Sequence, residues 1–403
     1  MSSKPAGKTF TITTPDSKVN QRDSKAISHQ RSLVCLLPFF LFILLISLSA
    51  CSDEGVSRPA ASTRNAQGGF SSQPPHSVAS IATGNFREYN LPQAHSGLMR
   101  PVVDRRGRIW FGEMSHNFLT VFDPATQQFT QLTLPGGAHG IMGIAVAPDD
   151  TIWFAEQYAN YIGHYDPAAR RFQTYALPSL TIPDPGKHNQ QLTLPSAPND
   201  IALDAQGNVW FTELNADSIG RLDPRTGIFR HYPLTAIKSV QTLNPYGITV
   251  DAHDLIWFTE AATNRLGSLD PITGQIRQFT VRGTVVPLME VASDAQGIIW
   301  ATGFSGNLLL KFDPATTTFT TYIAPSTHNN TGSLYGLTIT ADRAIWLTVA
   351  AENVIARFEP ASHLFTYYRI PTASSLPLGI AAGPDHTLWF TEAGGNKLGM
   401  LKP

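Results

Sequence analysis

Cysteine is almost missing from this chain. Only Cys35 and Cys51 occur in 403 residues, so nothing beyond position 51 can form a disulfide or a thiolate site. An excess of one charge is missing as well. The formal net charge is −1, which gives no basic field for nucleic acid, and charged residues are only 15% of the chain. Helical periodicity is absent, and apolar residues come in short alternating runs bounded by turn residues. No HxxxH, HExxH, GxSxG or phosphate-loop spacing occurs. The pairs Gly136-Gly137 and Gly394-Gly395 stand alone and read as turns. What remains is a turn-rich all-β chain with 31 glycines and 29 prolines. Its function has to come from a shaped surface, because no short motif carries it.

Repetition is what the chain does have. All seven tryptophans, Trp110, Trp153, Trp210, Trp257, Trp300, Trp346 and Trp389, occupy one place in a repeated unit, at spacings of 43, 57, 47, 43, 46 and 43 residues. Seven residues after each comes Asn or Asp, and thirteen after comes an acid followed by Pro in six of the seven. Each unit contains four strand-like pieces. Around Trp257 these are Tyr246 to Val250, Leu255 to Thr259, Arg265 to Leu269 and Gln275 to Val281. A period in the low forties with four strands per unit is a β-propeller blade. The last unit stops after its third strand, at Pro403. The segment Asn85 to Pro92 (NFREYNLP) reads like the fourth strands RFQTYALP and LFTYYRIP and has no unit of its own. It completes the final blade and so removes an open sheet edge. The sequence therefore predicts an all-β, seven-bladed β-propeller of four-stranded blades over 85–403, closed by its N-terminal strand.

The front of the chain differs. Residues 1–32 are polar and basic, Leu33 to Ala50 is apolar, and Leu48-Ser-Ala-Cys51 resembles a bacterial lipobox. Residues 1–51 thus read as an export signal with lipidation at Cys51, or as an uncleaved transmembrane anchor, since 18 apolar residues nearly span a bilayer. Either way the propeller is expected outside the cytoplasm on a membrane tether. Residues 52–84 are rich in Ser, Ala, Gly, Pro and Gln and read as a flexible linker. The expected state is a monomer without nucleic-acid partners.

A site would lie at one mouth of the channel. If the hairpin turn is centred about four residues before each Trp, the residue eleven before faces the residue three after. The first ring reads Met99, Met142, Asn199, Tyr246, Met289, Tyr335 and Leu378, and the second reads Glu113, Glu156, Glu213, Glu260, Gly303, Val349 and Glu392. Five carboxylates at a mouth could hold a cation, but a residue repeated in most blades is better explained by the needs of the blade. Positions that break the repeat are stronger candidates. The residue after the first ring is usually Gly but is Arg100, Asp200 or Glu290 in three blades. The candidate ligand-binding set is Arg100, His139, Asn199, Asp200, Tyr246, Glu290 and Tyr335, with Asp200 and Glu290 as candidate metal ligands and the three ring methionines as an apolar floor. His95, His188 and His328 lie with His139 in connections on the same side as the rings, whereas His116, His164, His231, His253, His363 and His386 read as surface residues. The long interval between Trp153 and Trp210 contains the insertion 179–197 on the same side, as binding loops often do.

The blade text Pro245-Tyr-Gly-Ile-Thr-Val, Trp257-Phe-Thr-Glu260 and Asn264-Arg-Leu-Gly, followed by a fourth strand ending Leu-Pro, resembles the virginiamycin B (streptogramin) lyase family over residues 85–403. The resemblance implies seven blades, and elimination at the ester of a cyclic peptide antibiotic with Mg²⁺ or another divalent cation at the channel mouth. Such chemistry needs a general base and a metal for the developing negative charge. The family pattern opens two late blades with Pro-His. Here no ring position is His, the matching places hold Met289, Tyr335 or Leu378, and Gly303 and Val349 replace Glu. The expected function is an exported lyase-like propeller binding a small or peptidic ligand, with C–O lyase chemistry as one outcome. The alternatives are a non-catalytic binding propeller and a metal-dependent lactonase-like hydrolase, whose donor types Asn199, Asp200 and Glu290 would match.

Overall fold

The computed structural model describes residues 79–136, 140–183, 191–235, 242–282, 286–326 and 333–403. Cys35, Cys51, the whole of 1–51, most of 52–84, and His139, His188 and His328 lie outside the described residues. The described residues all fall within one compact unit, Ala61–Pro403. Among them no helix is long and apolar enough to cross a membrane.

Seven antiparallel sheets follow one another around a central channel. Their innermost strands are Leu98–Val103, Ile141–Val146, Pro198–Leu203, Pro245–Val250, Leu288–Ser293, Leu334–Ile339 and Pro377–Ala382, heading blades 1 to 7 in that order. In blade 4 the remaining strands are Ile256–Glu260, Arg265–Leu269 and Ile276–Thr280. Blade 7 takes its fourth strand from the front of the chain: Asn85–Asn90 pairs antiparallel with Lys397–Lys402. The closing strand is held by its side chains. Phe86 packs edge-on against Phe390, Tyr89 stacks on Trp389, and Lys397 Nζ donates to Glu88 at 3.0 Å.

A strand is present before residue 85. Ser80–Ala82, assigned to the linker by composition, forms a three-residue strand parallel to Leu364–Arg369 on the outer edge of blade 6. Gly84 lies at the crossing from blade 6 to blade 7. A Cβ there would sit 2.3 Å from Leu401 and 3.0 Å from Tyr368, so the crossing admits no side chain.

The repeated residues build the blades. The tryptophans lie between neighbouring sheets; Trp300, for example, packs with Leu347 and Phe358 of blade 6. A buried indole N–H needs an acceptor. Trp110, Trp210, Trp257 and Trp300 find one in an aspartate six residues earlier, Asp104, Asp204, Asp251 or Asp294, at 2.8–2.9 Å. The same aspartates cap the intervening turns, as Asp104 does for the backbone N–H groups of Arg106 and Arg108. The Asn or Asp seven after the Trp staples consecutive connections. Asn160 donates to the Leu177 carbonyl and accepts from the backbone N–H of Ala197, at the entrance to blade 3. Asn160, Asp217, Asn264, Asn307, Asn353 and Asn396 have positive φ, a conformation these short polar side chains tolerate. The insertion 179–197 contains a two-stranded hairpin, Leu180–Pro183 with Gln191–Leu194.

Candidate functional site

The inner strands differ from the simple register by one residue. Pro245 faces Glu260 and Ile248 faces Phe258, so Tyr246 and Gly247 together oppose Thr259. The same irregularity recurs in all seven blades. It is a β-bulge, which inserts one residue and re-aims a side chain. The repeated Glu therefore faces the residue one position before the ring. The expected pairing of the two rings does not occur.

Three of the five Glu, Glu113, Glu213 and Glu260, are bonded within their own blades; burial lifts the other two, Glu156 and Glu392, to about 7. All five are fully buried. Glu113 accepts from Thr120 and Gln131, Glu213 from Ser218 and His231, and Glu260 from Thr263 and Gln278. His231, read from the sequence as a plain surface residue, has a raised pKa because of its bond to Glu213. His164 lies against Trp153 at 4.2 Å, and burial lowers its pKa.

The bulges lock neighbouring blades together, a feature sequence reasoning missed. The Thr two residues after the Trp accepts the bulge N–H of its own blade and donates to the ring carbonyl of the next. Thr259 accepts from Gly247 N at 2.9 Å and donates to Met289 O at 2.6 Å. Thr212, Thr302, Thr348 and Thr391 do the same toward Tyr246, Tyr335, Leu378 and Met99. Close approach explains the bulge glycines: a Cβ on Gly247, Gly336 or Gly379 would lie 2.3–2.4 Å from the next blade's carbonyl. Blades 1 and 2 carry Gly112 and Ala155 instead of Thr and have no such lock.

Arg100, Asp200 and Glu290 occupy the bulge position in blades 1, 3 and 5. These blades are not neighbours, so their side chains can meet only across the channel, and they do meet there. Arg100 Nε donates to Glu290 Oε1 at 2.9 Å, its Nη2 lies 2.7 Å from the same oxygen, and Nε is 3.5 Å from Asp200 Oδ1. Arg100 Nη1 donates to the Met142 carbonyl of blade 2 at 3.3 Å, and the guanidinium lies over the Tyr246 ring at 5.1 Å. Asp200 also accepts from the Ile248 N–H at 3.0 Å. Across blades 4 and 6, the Tyr246 and Tyr335 hydroxyls hydrogen-bond to each other at 2.5 Å. Asn199 donates to the Tyr246 carbonyl at 3.0 Å and accepts from Gln157 at 3.2 Å. Six of the seven sequence-chosen residues are thus brought into one network touching blades 1 to 6. The seventh, His139, lies outside the described residues. Gln157 and Phe304, which packs edge-on against Tyr335, were not anticipated.

The ring is a floor more than an open rim. Met99, Met142, Asn199, Tyr246, Met289, Tyr335 and Leu378 are all buried. Glu290 is the most exposed of the three charged residues, with 13% of its side chain accessible, against 9% for Arg100 and for Asp200. Burial pushes Glu290 up to about 7, with Asp200 adding to the rise and Arg100 opposing it. Burial also raises Asp200 against the pull of Arg100, and it pushes Tyr246 up to about 12. Two carboxylates sharing one guanidinium in a low-dielectric setting cannot both ionise cheaply. Among the described residues no group of three or more His, Cys, Asp or Glu is placed to hold a metal ion.

The fold and this cross-channel floor define a seven-bladed β-propeller with a polar plug at one end of its channel. The chain belongs to the virginiamycin B lyase family, whose model matches residues 70–326 and 196–403. A streptogramin B lyase structure is 25% identical, with a TM-score of 0.69 over 79% of this chain and 97% of that one. A virginiamycin B lyase from Staphylococcus aureus is 24% identical, with a TM-score of 0.68 over 79% of this chain and 99% of that one. The catalytically inactive form of the Staphylococcus aureus enzyme, solved with quinupristin, has the same identity, TM-score and coverage. No curated protein sequence matches this chain.

Proposed function

We propose that this chain binds a small or peptidic ligand on the floor formed by Arg100, Asn199, Asp200, Tyr246, Glu290 and Tyr335, as an exported propeller lipidated at Cys51, and that it does so without the metal-and-histidine elimination of its family. One observation carries this reading. The residues that break the seven-fold repeat converge on one network, and no ring position is His. The implied Mg²⁺ does not fit this donor set, because the Arg100 guanidinium already lies against both carboxylates. Quinupristin, present with a relative, is the natural probe. Incubation with and without Mg²⁺ and EDTA should show retention of the cyclic peptide and no linear product. Linearisation that EDTA abolishes would defeat the proposal. Replacing Cys51 with Ser should release the protein from the membrane fraction, and size-exclusion chromatography should return a monomer.

A second reading rests on Glu290. A carboxyl pushed up to about 7 can take and return a proton near neutral pH, and the adjacent guanidinium would stabilise negative charge forming on a bound ester. Turnover resistant to EDTA and lost in Glu290→Gln would favour this metal-free elimination over simple binding.

A further inference from the structure

We propose that Arg100 is a resident counter-ion that closes the channel site to divalent cations, so that the residue at position 100 decides whether this propeller is a metal protein. Asp200 and Glu290 are carboxylates from different blades that converge on one point of the channel. Such a pair, with its oxygens facing a common centre, is the hard-donor arrangement that Mg²⁺, Mn²⁺ and Ca²⁺ prefer. Here a nitrogen-bearing cation from blade 1 takes that centre.

Three features keep it there. A divalent ion would need carboxylate oxygens at about 2.0–2.6 Å, yet Glu290 Oε1 is already taken by Nε at 2.9 Å and Nη2 at 2.7 Å. The guanidinium cannot yield by losing its charge, since arginine stays protonated in proteins; here Asp200 and Glu290 hold its pKa well above the ordinary value against the pull of burial. Nor is it free to swing aside, because Nη1 is tied to the Met142 carbonyl and the plane rests over Tyr246. A dication entering beside it would meet a like charge with little water to screen it.

The sequence context agrees. The bulge position is glycine in blades 2, 4, 6 and 7. Only the blades that supply the two carboxylates and the cation between them depart from glycine, so the three charges form one closed unit. This inference concerns the cation and holds with or without a ligand above the floor. It can therefore fail independently of the proposed binding function.

Mn²⁺ is the probe, followed by electron paramagnetic resonance and by thermal unfolding of the full chain. The unaltered protein should show no saturable Mn²⁺ binding at millimolar concentration, and its unfolding temperature should be unmoved by Mn²⁺ or EDTA. Arg100→Met keeps the apolar stem and removes the charge. It should acquire one Mn²⁺ per chain and unfold at a higher temperature when Mn²⁺ is added. Arg100→Lys retains a cation and should stay metal-free. Saturable Mn²⁺ binding by the unaltered protein that disappears in Glu290→Gln would overturn the proposal, and this arm does not depend on any Arg100 variant folding. A folded Arg100→Met protein that gains no Mn²⁺ would overturn it as well.

Discussion

Blades 3 to 7 and blades 1 and 2 solve the same problem differently. Each blade must be held to the next at the inner edge, where strand curvature brings the bulge of one against the carbonyl of its neighbour. From blade 3 onward a buried threonine bridges the two. Between blades 1 and 2 there is no threonine, Ile141 fills the space beside Gly112, and the Met142 carbonyl is met by Arg100 instead. A hydroxyl lock is local and repeatable. A guanidinium reaching blades 2, 3, 4 and 5 can be used once only, because it crosses the channel. The contrast shows how a repeat protein acquires a unique centre: two local locks are missing, and at one of those junctions a long charged residue with partners on other blades stands in.

The contrast breaks most severely at Arg100. Arg100→Met leaves Asp200 and Glu290 buried without their counter-charge, and removing one partner of a buried ion pair costs about 3–5 kcal/mol. Denaturant unfolding should show this loss in the absence of metal. The next effect is on pH. Glu290 has its pKa raised from the ordinary 4.5 to about 7. The folded state therefore binds the proton more tightly than the unfolded chain. The penalty for ionising Glu290 is absent below about 4.5 and complete above about 7, which amounts to on the order of 3 kcal/mol across that window. Burial also lifts Glu392 to about 7 and acts in the same direction. Unfolding temperature should fall as pH rises through this range, and Glu290→Gln should make the fall shallower, leaving the shares of Glu156 and Glu392. A rise in stability with pH would contradict the assignment.

Thr259→Val tests the other side of the comparison. It removes the acceptor for Gly247 and the donor to Met289, both buried, and should cost about 1–3 kcal/mol while leaving the Arg100 partners themselves in place. A double variant with Arg100→Met should depart from additivity only modestly, by about 0.5–1 kcal/mol, since Gly247 and Met289 adjoin Tyr246 and Glu290 without being partners of the guanidinium themselves. Strong coupling would mean the two kinds of lock are not separate. The smallest effect belongs at the rim. Ser80→Ala loses one exposed bond to Thr366 and should shift stability by no more than about 0.5 kcal/mol.

Much of this arrangement is legible in the amino-acid order, for reasons that can be named. Trp, Asn and Asp-Pro recur because every blade repeats one set of turns and inter-sheet contacts, and Asn85–Asn90 matches other fourth strands because it does their work. Arg100, Asp200 and Glu290 stand out because they replace glycine at a repeated position. The bulge escapes such reading. It adds one residue to one strand, and a spacing argument that assumes even pairing places Tyr246 opposite Glu260 when Pro245 is there. The thriftier sign was also in plain view: Thr two residues after Trp in five blades, and Gly112 or Ala155 in the others. Ser80–Ala82 could not be anticipated, because three residues carry no periodicity and their pairing depends on where blade 6 lies once the ring has closed.

The double attachment at the front of the chain has a mechanical consequence. Any pull arriving from upstream of residue 79 meets the three parallel pairs of Ser80–Ala82 on blade 6 before it reaches the six antiparallel pairs of Asn85–Asn90 that seal blade 7. Three pairs hold less than six, so under load the shorter pairing should part first while the seal of blade 7 stays shut. In that event it would serve as a sacrificial fastener that spares the joint behind it.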